Sequence, residues 1–63
     1  PRDQEENRLV LLQAERVYEE LLGDERRLLE YQIQRFEEAL KNGDRDQIRE
    51  QREILQERLR DLW

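Results

Sequence analysis

Apolar residues along this 63-residue chain return at helical spacing in three successive stretches. In the first, Val10, Ala14, Val17 and Leu21 follow one another by four, three and four positions. That spacing sets them on one face of a helix. Leu11, Tyr18 and Leu22 lie beside them and widen the stripe, as a bundle helix requires. In the second stretch, Leu29, Ile33, Phe36 and Leu40 repeat the same spacing, with Leu28 and Ala39 at its flanks. In the third, Ile48, Leu55, Leu59 and Leu62 form the face and Arg52 interrupts it. Charged residues fill most of the remaining positions. The pattern predicts helices over about 3–22, 25–41 and 45–62.

Two Gly-Asp steps, Gly23-Asp24 and Gly43-Asp44, separate these stretches. A Gly just past a helix takes the left-handed conformation that other residues resist. An Asp directly after it is suited to cap the next helix by accepting from the orphan N–H groups. Asp44 with Gln47 three residues later resembles a capping box. Lys41, near the end of the second stretch, suits the negative end of a helix dipole. In the third stretch, Glu53 and Glu57 are placed to pair with nearby Arg49 and Arg60.

Connections this short turn sequential helices back on one another. The expected fold is all-α, an antiparallel three-helix bundle forming one subdomain over residues 1–63. The alternative keeps the first two helices continuous through Gly23, since Gly costs only about 1 kcal/mol inside a helix. That gives a long helical hairpin whose apolar face needs a second copy, so the chain dimerises.

Composition narrows the chemistry. Charged residues make up 46% of the chain, which suits a helical bundle, and the apolar periodicity argues against disorder. The net charge of −5 is spread as −3, −1 and −1 over residues 1–22, 23–41 and 42–63. No segment forms a basic stripe, which disfavours nucleic acid as a partner. Arg outnumbers Lys eleven to one, a bias read as genome base composition before function. There is no Met, and the chain opens in the polar run Pro1 to Glu6, so a piece cut from a longer protein is expected. The longest apolar run, Leu9 to Leu12, is far too short for a membrane span or a signal segment, and a cytoplasmic location is the default.

The chain contains no Cys, His, Ser or Thr. Disulfides, thiolate chemistry and the usual zinc sites are therefore excluded, and no cofactor is implied. Glu19/Glu20 and Glu37/Glu38 are candidate acid–base pairs by residue type, but helical neighbours point in different directions and a solvated face is the better reading. Asp44-Arg45-Asp46 resembles the opening of a calcium loop without its Gly at position six or Glu at position twelve, so helix capping is preferred. Tyr18, Tyr31, Phe36 and Trp63 are too scattered for a base-stacking platform. Phe36 belongs to the core, Tyr31 lies off the main face, and Trp63 is expected to pack with Leu59 or to mark a helix that continued. Catalytic and metal-ligating residues are not expected.

From Phe36 to Leu55 the chain resembles the C-terminal helical lid of the seventy-kilodalton heat-shock chaperones, the DnaK-like family. Ala39, Leu40, Lys41, Asp44, Ile48 and Leu55 match that family's pattern. Upstream, Gln13-Ala14-Glu15-Arg16 followed by Tyr18 is similar to lid helices of the branch called HscC-like. The likeness spans about residues 9–60, and it departs from DnaK itself at Gly23-Asp24, where the joint is tighter. The resemblance implies a module without its own catalysis. In the family an ATPase domain drives a peptide-holding β-sandwich, and the lid closes over that sandwich and slows release of unfolded peptide. The ATP-binding and latch residues lie outside the matching positions, which are those of packing and capping. The implied partners are the rest of the chaperone and, through it, unfolded peptide. The rival expectations are a helical adaptor that mediates protein–protein association or dimerises, and a bundle with no role beyond folding.

Overall fold

The computed structural model describes residues 2–62. They form three helices, α1 (Arg2–Glu20), α2 (Gly23–Asn42) and α3 (Arg45–Leu62). At 1.5 Å per residue a 20-residue helix such as α2 is about 30 Å long. The molecule measures 32 × 18 × 16 Å, so its long dimension is that of a single helix. A helix continuous through Gly23 would reach roughly twice that length. The chain is thus a three-helix bundle, and the long-hairpin alternative does not hold. The interface between α2 and α3 is the most extensive, and α1 lies across the pair with smaller contributions to each.

The core forms where the three stripes converge. Val10, Ala14 and Val17 of α1, Leu29, Phe36 and Ala39 of α2, and Leu55 and Leu59 of α3 are buried. Leu21, Ile33, Leu40, Ile48 and Leu62 are partly buried and pack against this cluster, as do Leu11 and Tyr18. Phe36, Leu29, Leu55 and Leu59 are the largest side chains removed from water, and each contributes roughly 1.5–3 kcal/mol of transfer free energy. Tyr31 is 56% exposed, so Phe36 is the aromatic anchor of α2. Tyr18 is half-buried at the α1–α2 joint, and the guanidinium of Arg26 sits over its ring at 4.3 Å.

The joints depart from the expected boundaries. α1 ends at Glu20, two residues early. Leu21 N–H donates to the Tyr18 carbonyl at 3.2 Å, a tight closing turn. Leu22 is extended (φ −134°, ψ 158°) and fills the N-cap position of α2 without a side-chain capping bond. Gly23 then takes φ +65° at the first position of α2. Asp24 therefore does not cap α2. It stands inside the first turn, and its carboxylate accepts from the Arg27 guanidinium. The reason is register: Gly23 is taken into the helix, which moves the cap position back to an apolar residue.

At the second joint the expected chemistry is in place. Gly43 takes φ +76°, and its N–H donates to the Ala39 carbonyl at 3.0 Å. The Asp44 carboxylate accepts from the N–H groups of Asp46 (2.9 Å) and Gln47 (3.2 Å). Gln47 makes no return bond to Asp44 among the described residues, so only half of the capping box forms. Among the described residues, Arg49 pairs with Asp46 at 3.4 Å rather than with Glu53, and Arg60 is in no ion pair. Trp63 lies outside the described residues.

Candidate functional site

The carboxylate pairs Glu19/Glu20 and Glu37/Glu38 are exposed on α1 and α2. No group of three or more possible metal-ligating side chains converges among the described residues. What the fold does assemble is a polar layer between α1 and α3. The heptad-like stripe of α1 continues backward from Val10 to Asn7, three positions earlier, and Asn7 is 8% exposed. On α3, Arg52 falls four positions after Ile48 and three before Leu55, within the apolar face. The two side chains meet: an Arg52 Nη1 donates to Asn7 Oδ1 at 2.9 Å.

Glu6 and Gln56 complete the layer at its solvent edge. Glu6 Oε2 lies 3.7 Å from Arg52 Nε and accepts from Gln56 Nε2 at 3.4 Å. The Arg52 side chain is 12% exposed and that of Glu6 46%. Among the described residues Arg52 Nε is buried without a hydrogen bond, and the charge of Glu6 compensates it. Burying a guanidinium beside one partly solvated carboxylate gives little net stability. Removing one partner while leaving the other buried is the costly change.

An open groove among α1, the end of α2 and the start of α3 is lined by Asn7 and Arg52 of this layer together with Leu40, Ile48, Arg45 and Arg49. A second open groove, between α1 and α2, is acidic: Glu15, Glu19, Glu30 and Glu37 surround Tyr18 and Ile33. Both are open surfaces, and the first is continuous with the buried Arg52. Leu9 and Leu12 on α1, Leu28 and Tyr31 on α2, and Leu22 at the first joint expose large apolar areas.

Of the residues expected to fill the core, seven are buried, and Leu21, Ile33, Leu40, Ile48 and Leu62 are partly buried against them. At the first joint both Gly23 and Asp24 lie inside α2 rather than at their expected stop and cap positions. The sequence reading missed Asn7. The signal was present, because Asn7 precedes Val10 at the spacing that the stripe itself uses. Among the described residues no helix is long and apolar enough to cross a membrane. No protein-family model matches the chain, and no curated protein or solved structure matches it.

Proposed function

We propose that the chain is the helical lid of a DnaK-like chaperone's substrate-binding domain, a non-catalytic bundle that closes over bound peptide. The observation that carries the reading is the position of the resembling residues. Ala39, Leu40 and Lys41 end α2, Asp44 caps α3, and Ile48 and Leu55 begin its inner face. The part of the resemblance from Phe36 to Leu55 thus falls on one supersecondary unit with its cap. A bundle of this kind acts by covering a groove. It raises the barrier to exit, and gating of that sort acts on release. Differences of affinity between related complexes reside mostly in the off-rate. On this reading the partners are the chaperone's β-domain and the unfolded peptide held there, the location is cytoplasmic, and ATP binding belongs to the chaperone's other domain.

The test is dissociation of a fluorescent apolar peptide from the longer chaperone chain with and without residues 1–63. Deletion should raise the off-rate several-fold and leave the on-rate nearly unchanged. Equal off-rates, or tight peptide binding by the 63-residue chain alone, would remove the lid reading. The second reading is an adaptor that associates through helix faces, and exposed Leu9, Leu12, Leu28 and Tyr31 favour it. Sedimentation equilibrium separates the two, since an adaptor of that kind forms dimers at micromolar concentration.

A further inference from the structure

We infer that the Glu6–Asn7–Arg52–Gln56 layer is a topological lock, which sets the register of α3 against α1 and the side of the bundle on which α3 lies. The rest of the core is built from Leu, Val, Ile, Ala and one Phe, with Tyr18 packed at its edge. Contacts among such side chains are non-directional, so a slipped or mirrored arrangement keeps most of them. The polar layer is directional. In the native register Arg52 of α3 stands opposite Asn7 of α1. A slip of α3 by four residues would set Arg52 beside Leu11 and Asn7 beside Ile48. Both polar groups would then be buried without partners, which the native pairing avoids.

The mirror arrangement fails for a related reason. α1 has two unlike flanks. Glu6 faces Gln56 of α3, while Tyr18 lines the groove shared with α2. Placing α3 on the opposite side exchanges those neighbours and breaks both inter-helix hydrogen bonds. The incomplete satisfaction of Arg52 Nε fits the same role. A layer that adds little stability in the right arrangement, and is unfavourable in every other, widens the gap between arrangements rather than deepening the native well.

The test compares wild type with Asn7→Leu, Arg52→Leu and the double variant, each with spin labels at exposed Glu5 and Glu53 (as cysteines). Wild type should give one narrow inter-label distance and one set of amide resonances. Each single variant should melt lower, because Arg52→Leu leaves Asn7 buried without its partner and Asn7→Leu takes from Arg52 the hydrogen bond of its Nη1. The double variant should melt at or above wild type yet show a broadened or split distance, with components about one helical turn apart (roughly 5–6 Å). A single narrow distance and a single resonance set in the double variant would overturn the proposal. So would failure of the double variant to fold, because the layer would then be a source of stability. Asn7→Asp, which keeps an acceptor for Arg52, should retain the single distance, and splitting there would count equally against the lock.

Discussion

The joints at Gly23-Asp24 and Gly43-Asp44 share their residues and differ in their bonds. At the second, Gly43 directly follows α2 and bonds back to Ala39, and Asp44 holds two N–H groups of α3. At the first, α1 stops two residues short of the Gly, Leu22 stands at the cap position, and Asp24 is bound to Arg27. Both glycines have positive φ, and nothing lies within 4 Å of where a Cβ would be. The dipeptide therefore fixes where the chain turns. Whether it also caps depends on which residue occupies the position just before the helix. Both connections are two residues long; the capped one serves the more extensive interface, α2 with α3, and the uncapped one serves α1.

The largest effect that sharpens this contrast lies in the core that the capped pair shares. Phe36→Ala should cost about 3–5 kcal/mol, most of the stability of so small a domain, whereas Tyr31→Ala should stay within roughly 0.5 kcal/mol. Thermal melts of the two variants check it, and equal shifts would mean that the buried face of α2 is misassigned. Next come the glycines. Gly23→Ala and Gly43→Ala should each cost about 1 kcal/mol, because each forces a Cβ into left-handed backbone. Gly43→Asn should recover part of that loss, since Asn tolerates this conformation. A large difference between the two Ala variants would show that the joints differ at Gly as well as at Asp. The smallest effect is the most specific. Asp44→Ala should cost about 1 kcal/mol through the lost cap. Asp24→Ala should cost clearly less, because its pair with Arg27 is exposed. Denaturant midpoints resolve the difference, and the reverse order would break the comparison.

Much of this architecture was legible from residue spacing. Val10, Ala14, Val17, Leu29, Phe36, Leu55 and Leu59 are buried because the 3.6-residue period places them on converging faces. Ends were harder to place. α1 stops at Glu20 because a tight turn at Leu21 competes with continued helix, and nothing in the apolar stripe marks that choice. Asp24 reads as a cap until the position of Leu22 is known. Arg52 reads as an interruption of an apolar face because its partner lies 45 residues away, and only packing brings Asn7 beside it. The proposed function rests on the resemblance alone.

The central claim is that the two joints divide the bundle into a capped α2–α3 pair and a first helix laid upon it. Native-state hydrogen exchange across a denaturant series tests this most directly, because it reads the opening free energy of each helix separately. The account predicts that the central amides of α1, around Val10 to Ala14, exchange through an opening that leaves those around Phe36 and Leu55 protected. If the α1 amides instead exchanged only with the global unfolding of the other two helices, at the same free energy and with the same denaturant dependence, the division would be contradicted.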